Sequence, residues 1–371
     1  MTIYTTNPKE HNLKKKKLYI KKFSEFINSG NYILSNEVKK FENNFAKFIG
    51  SKYAIGVASG TDAIVLALKS LSIGYGDEVI TTSHTAVATI SAIKQCNAKP
   101  ILVDIEQDYF TMDPEKTLLS VTKKTKAIIL VHIYGSSVSF DKFNSISKKF
   151  NIPLIEDVSQ AHGAKYKNKR LGNIGKIGCF SLYPTKNLGA LGDAGVVTTN
   201  LKKIRDKILF LREYGWNQNR LIKIKNGQNS RLDEFQASIL NIKLKSLDNE
   251  NKKRNFIANQ YNIKLTDNII KPLEKKFSTH VYHIYCIRVK NRERLINFLK
   301  SKKIFLNIHY PIPIHKQPIY RKIKEINKLQ NLDKISNEII SLPMYPELSI
   351  KKLNFVINSI NYYYKNIYEK N

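Results

Sequence analysis

The chain has 371 residues, 42% of them hydrophobic and 10% aromatic, which is enough for two domains or for one large α/β domain with an appendage. Its 62 Lys and Arg against 30 Asp and Glu give a net charge of +32, but the basic residues are scattered along the chain without interleaved aromatic clusters, which disfavours nucleic acid as the main partner and still favours a pyrophosphate-bearing ligand. No apolar run approaches the roughly 20 residues of a membrane helix, and no apolar stretch of a secretory signal follows the basic N-terminus. Cys96, Cys179 and Cys286 are too few and too far apart for a disulfide framework or a CxxC metal site. These features predict a cytoplasmic protein without membrane insertion.

Taken in order, residues 1–25 read as an arm and the start of a basic helix. The apolar spacing from Phe26 to Ile49 suits a turn and then an amphipathic helix that Gly50 stops. An α/β alternation follows. Short β-branched runs predict strands at Ala54–Val57, Val79–Thr82, Ile101–Val103, Ala127–Val131, Leu154–Ile155, Gly178–Leu182 and Gly195–Thr199. Helical segments fall between most of them, at Asp62–Leu71, Thr85–Gln95, Asp113–Val121 and Asp141–Phe150. Such alternation predicts a mostly parallel sheet covered on both faces. The last two strands lack a helix between them, so the sheet should be mixed. From residue 251 the organisation changes to a helix, a strand at Val281–Val289, a helix at Arg292–Ser301, the proline-rich HYPIPIHKQPIY and two terminal helices. The predicted division is therefore a large domain over residues 1–250, including the arm, and a smaller α/β domain over 251–371.

Three stretches carry chemistry. In ASGTDAIVLAL (58–68) small residues lead into an apolar helix, so Gly60 and Thr61 stand where unpaired N–H groups and the helix dipole favour an anion, although an ordinary capped helix would read the same way. No GxGxxG follows a strand and no GxxxxGK is present, which disfavours dinucleotide and P-loop sites. The strand at 154–155 runs into EDVSQAHGA, placing Asp157 at a strand end as a cap, a metal ligand or a partner for a protonated ring nitrogen; its neighbours lack metal-ligand spacing. In GCFSLYPTKNLGALGDAG (178–195) Lys186 stands alone in a polar, glycine-rich turn. Desolvation there would lower its pKa and free a neutral amine, although structural turns also carry Lys-Asn. An anion site, Ser181 beside it, a strand-end aspartate and an activated lysine are the parts that a pyridoxal phosphate site needs.

Five ordered motifs, ASGTDA, EDVSQAHGA, CFSLYPTKNLGALGDAG, NSRLDEFQA and HYPIPIHKQPIY, resemble those of the DegT/DnrJ/EryC1/StrS family of sugar aminotransferases, over nearly the whole chain. The resemblance implies an aspartate-aminotransferase-like fold (type I for pyridoxal phosphate enzymes) with a mostly parallel, mixed seven-stranded sheet, pyridoxal 5′-phosphate as cofactor with pyridoxamine phosphate as its alternate form, and a homodimer with sites at the interface. It makes Lys186 the cofactor-linked lysine and Asp157 the partner of the ring nitrogen. Gly60, Thr61 and Ser181 would hold the phosphate, with Asn229 reaching the phosphate of the partner subunit's cofactor, and Gln160 would lie near the ring. Tyr183, His309 and Tyr310 would meet a nucleotide-linked keto sugar, with L-glutamate as amino donor. Retention of lysine at 186, where some members carry histidine and deoxygenate, favours transamination. SHTAVAT with HYPIPIHKQPIY looks most like the branch that aminates C3 of dTDP-3-keto-6-deoxyhexoses; C4 amination of a UDP-, dTDP- or GDP-4-keto sugar is the alternative, and a silent scaffold or polyanion-binding protein on the same fold is the reading of another class. One position departs from the pattern: many relatives place an aromatic ring over the pyridine where this chain has Ala86. His84 is then the candidate for stacking, unless it merely opens a helix.

Overall fold

The computed structural model describes residues 2–217, 219–320 and 328–368. Seven strands form the central sheet: β1 (Tyr53–Val57), β2 (Glu78–Thr82), β3 (Lys99–Val103), β4 (Thr125–Val131), β5 (Leu154–Asp157), β6 (Ile177–Ser181) and β7 (Gly195–Thr199). Their order is β1-β7-β6-β5-β4-β2-β3. β7 runs antiparallel to both its neighbours, and every other pairing in the sheet is parallel. The reversal follows from the connection between β6 and β7. With no crossover helix, the chain turns back beside the strand it has just left.

The strands are apolar on both faces because helices cover both. Along β4, Ala127, Ile129 and Val131 enter one core with helix α2 (Gly60–Ser70) and helix α3 (Val87–Gln95), while Ile128 and Leu130 enter the opposite core with helix α1 (Asn36–Ile49). In the second core Phe45 meets Phe180 edge to face, with ring centroids 5.0 Å apart, and both rings are fully buried. Burial of such a side chain contributes about 1.5–3 kcal/mol. The start of α1 has no side-chain cap of its own. Instead the carboxylate of Glu234, at the start of helix α4 (Glu234–Leu244), accepts the backbone N–H groups of Ser35, Glu37 and Val38. The glutamate of NSRLDEFQA thus caps a helix about two hundred residues away.

Two features differ from the predicted division. Helix α5 (Leu247–Lys264) runs straight through residue 250, so the two units share a helix and not a linker. The first residues of the arm also belong to the other unit, while Phe23, further along, packs on Phe235 of the large one. Ile3–Tyr4 pairs in parallel with Ile304–Phe305, and Ile3 is fully buried in the core built from residues 257–364. That core is carried by an antiparallel pair, β8 (Tyr285–Arg288) and β9 (Ile339–Leu342), the second of which lies between the two terminal helices where no strand was predicted. The strand predicted at Val281–Val289 is shorter than expected because Val281 and Ile284 donate to the carbonyls of Gly135 and Tyr134 in a loop of the large unit. No helix among the described residues is long and apolar enough to cross a membrane.

Candidate active site

The C-terminal ends of β1, β5 and β6 and the beginning of β7 meet at one edge of the sheet. Gly195 pairs with both Val57 and Ser181, which brings the turn into α2 against the end of β6. The approach leaves no room for side chains. A Cβ on Gly60 would stand 2.5 Å from Ser181 Cβ, and one on Gly195 would stand 2.2 Å from the carbonyl oxygen of Ser59. Ser59 caps α2 by accepting the Asp62 N–H at 3.1 Å, so the N–H groups of Gly60 and Thr61, ahead of the first intrahelical bond, face a cavity of about 260 Å³. Gly60, Thr61, Asp157, Gln160, Ser181 and Lys186 all line it, as does Tyr183. Six of the residues predicted to hold the cofactor are therefore brought together, from three separate parts of the chain.

Lys186 sits on the β6–β7 connection, a glycine-rich turn that is held by hydrogen bonds along its length. Lys186 N–H donates to Tyr183 O at 2.8 Å, Ala190 N–H to Leu182 O at 2.7 Å, and Lys243 Nζ to Gly189 O at 2.6 Å. The side chain of Asn187 donates to Asn251 Oδ1 and Val281 O at 2.9 and 3.1 Å. The glycines serve close packing: a Cβ at Gly189 would lie 2.6 Å from Pro184 O. Loss of solvation pushes the Lys186 ammonium down to about 8, against the opposing pull of the Asp157 carboxylate.

Asp157 is buried at the end of β5. Its Oδ1 accepts the Ser159 N–H at 3.1 Å and its Oδ2 accepts the Thr89 hydroxyl at 2.9 Å. Each oxygen retains a lone pair, so the carboxylate can still accept a proton donor in the cavity. Gln160 is fixed at both ends, its Oε1 accepting the Tyr134 N–H at 2.7 Å and its Nε2 donating to Tyr310 Oη at 3.0 Å.

The remaining predicted residues lie elsewhere. His84 does not line the cavity. Its ring is buried against Phe110 and Tyr134, with Nε2 2.9 Å from Tyr134 Oη, and burial pushes its pKa down to about 4. Ala86, the extended cap residue of α3, forms the wall instead, so the expectation that His84 stacks over the cavity is replaced by a packing role ahead of the helix. His309 and Tyr310 stand behind Gln160 and do not line this cavity. His309 Nδ1 is 2.8 Å from Ser341 Oγ, and its carbonyl accepts the Tyr134 hydroxyl. Burial, with the Lys186 charge adding, pushes His309 down to about 4, and burial pushes Tyr310 up to about 12. Asn229 is exposed and does not line this chain's cavity, but its neighbours are tied to α2, with Gln228 Nε2 and Ser230 Oγ donating to Asp62 at 3.1 and 2.7 Å. Sequence reasoning missed Thr85 and Thr89. Their spacing in HTAVAT puts two hydroxyls four residues apart at a helix start, which was the available signal.

A phosphorylated pyridine fits these residues. The helix start offers N–H donors where no side chain can intrude, Asp157 offers an acceptor for a ring N–H, and Lys186 offers an amine of lowered basicity. Fold and cavity together define an aminotransferase of the aspartate-aminotransferase type that depends on pyridoxal phosphate. The model of the DegT/DnrJ/EryC1/StrS aminotransferase family matches residues 14–361, and the chain belongs to that family. It is 41% identical to the dTDP-3-amino-3,6-dideoxy-α-D-galactopyranose transaminase of Aneurinibacillus thermoaerophilus, over 91% of this chain and 93% of that one. It is 38% identical to the UDP-2-acetamido-2-deoxy-3-oxo-D-glucuronate aminotransferase of Pseudomonas aeruginosa, over 89% and 91% of the two chains. The crystal structure of S. venezuelae DesV in complex with a ketimine intermediate superposes with a TM-score of 0.95 at 33% identity, covering 99% of each chain.

The lowered basicity of Lys186 has a kinetic signature. Only the neutral amine attacks a carbonyl, so the rate at which added pyridoxal phosphate becomes lysine-bound should rise as pH passes through about 8 and level off above it. Stopped-flow absorbance between pH 6 and 10 measures this. A rate still climbing steeply at the upper end would show a lysine of ordinary basicity.

Proposed function

We propose that this chain moves an amino group from L-glutamate to the C3 ketone of a dTDP-3-keto-6-deoxyhexose, as a cytoplasmic homodimer making nucleotide-linked amino sugars for surface glycans or related glycoconjugates. The observation that carries the reading is the meeting of Lys186 and Asp157 in one cavity with the open helix start at Gly60–Thr61. The choice of C3 is supported by the relative from Aneurinibacillus thermoaerophilus, whose product carries its amino group at that carbon.

When bound, the cofactor supplies a carbon that carries the amino group and an electron sink for the charge released beside it. Lys186 Nζ, neutral once free, would accept the proton of the donor α-carbon and hold it for return within the cavity. Asp157, buried at the end of β5, would accept the N–H of a protonated ring nitrogen and favour its charge. Gly60, Thr61 and Ser181 would hold the phosphate, and Asn229 of each subunit would serve the partner's phosphate. Gln160, clamped between Tyr134 and Tyr310, keeps the ring in place. Tyr183, half exposed at the cavity mouth, meets the sugar. His309 and Tyr310 shape the sugar pocket from behind Gln160, and the basic surface draws in the pyrophosphate.

The test is the visible spectrum of the protein loaded with pyridoxal phosphate. L-Glutamate should bleach the lysine-bound band, and one member of a panel of 3-keto and 4-keto nucleotide sugars should restore it. Restoration by a 3-keto sugar supports the proposal. Restoration by a 4-keto sugar alone moves the reaction to C4, and a band that glutamate leaves untouched removes glutamate as donor.

A further inference from the structure

Asp157 does not stand alone at the end of β5. A helical threonine commonly turns its hydroxyl back to the carbonyl four residues earlier. Thr89, in the first turn of α3 and fully buried, instead reaches across to another element and donates to Asp157 Oδ2 at 2.9 Å. Thr85 Oγ1, also buried, lies 2.9 Å from Thr89 Oγ1. Each hydroxyl has one proton. Since that of Thr89 is committed to the carboxylate, that of Thr85 must point to Thr89, and the chain runs in one direction: Thr85 to Thr89 to Asp157. With the Ser159 N–H on Oδ1 at 3.1 Å, both carboxylate oxygens accept a donor. These two donors fix the carboxylate plane, so the free lone pairs keep one direction.

We propose that Thr89, oriented by Thr85, is the positioning residue that keeps the Asp157 carboxylate aimed into the cavity, and so sets how strongly the site grips a protonated ring nitrogen. This rests on the role given to Asp157 above. Thr89 does not line the cavity, although Thr85 does, and acts through the carboxylate.

The experiment compares wild type with Thr89→Val, Thr89→Ser and Thr85→Val. Two quantities are read: the dissociation constant of pyridoxamine phosphate, which makes no bond to Lys186, by fluorescence titration, and the single-turnover rate with L-glutamate. Thermal unfolding reports on folding. Thr89→Val, nearly isosteric but without the hydroxyl, is expected to weaken pyridoxamine phosphate binding about tenfold and to slow the glutamate step about tenfold, the range for one hydrogen bond to a charged group. Thr89→Ser, which restores the donor, should stay within about twofold of wild type, and Thr85→Val should shift both quantities in the same direction by less. A Thr89→Val protein that binds and reacts like wild type overturns the proposal. So does equal loss in Thr89→Val and Thr89→Ser, which would assign the residue to packing through its methyl group. If Thr89→Val does not fold, Thr89→Ala decides, because Thr85 itself lines the cavity: weaker binding than in Thr89→Ser supports the proposal, and binding equal to Thr89→Ser ends it. Wild type that fails to bind pyridoxamine phosphate would overturn the aminotransferase reading first, and this proposal with it.

Discussion

Replacing Lys186 with alanine is expected to lower turnover about 10⁴-fold, the upper end of what one positioned proton-transfer group contributes. The protein should remain folded. The connection that carries residue 186 is held by backbone bonds and by the side chains of Asn187 and Lys243, none of which alanine removes. Burial disfavours the lysine charge, so its removal relieves a cost and the unfolding temperature should hold or rise slightly. The phosphate site proposed at Gly60 and Thr61 does not include the amine. The variant should therefore still take up pyridoxal phosphate while lacking the absorbance of the lysine-bound form. Added methylamine should restore part of the glutamate step, because a small amine can occupy the vacated space and carry the proton. Wild-type turnover in this variant would sink the mechanism. Loss of cofactor uptake together with activity would instead show that the residue anchors the cofactor more than it moves protons.

Asp157→Asn is the second large effect. The amide keeps the size of the carboxylate and can still accept from Thr89, but it carries no charge to hold a ring nitrogen in its protonated form. The glutamate step should slow about 10²–10³-fold, the usual loss on removing one preorganised electrostatic partner. A second readout follows from the same charge. Asp157 raises the pKa of Lys186 against the lowering by burial, so in Asp157→Asn the lysine should fall below about 8. The pH at which cofactor attachment levels off would then shift downward. A slower glutamate step with an unshifted attachment profile would mean that the carboxylate acts on the ring without sensing the lysine, and an unchanged glutamate step would remove Asp157 from its role.

The sheet was legible because its information is local. Alternating helix and strand patterns located all seven strands to within a few residues, and the missing helix between Gly178–Leu182 and Gly195–Thr199 announced the antiparallel turn. The parts of the site that terminate strands or start helices were legible for the same reason: Gly60, Thr61, Asp157 and Lys186 each stand at a chemical discontinuity in the sequence. Contacts decided by tertiary geometry were not. Thr89 and Asp157 are 68 positions apart, and nothing in either segment names the other. His84 was misassigned because the direction of a side chain just ahead of a helix is set by what packs there, here Phe110 and Tyr134. The β9 strand was missed because its four residues, IISL, sit between two helices and carry no alternation. The N-terminal strand, two residues long, gave no pattern at all.

That short strand bears on how the protein comes to be folded. Thr5 bonds to the carbonyl of Phe305, 300 positions further on, and Ile3 fills a place in a core otherwise built from the last third of the chain. Loop-closure entropy makes so distant a contact late to form. During synthesis the large sheet can assemble as its strands emerge, whereas residues 3–5 must wait for residues 304–305. An early-translated segment is thus a late-folding one. A fragment starting at residue 251 would lack the isoleucine that completes its own interior.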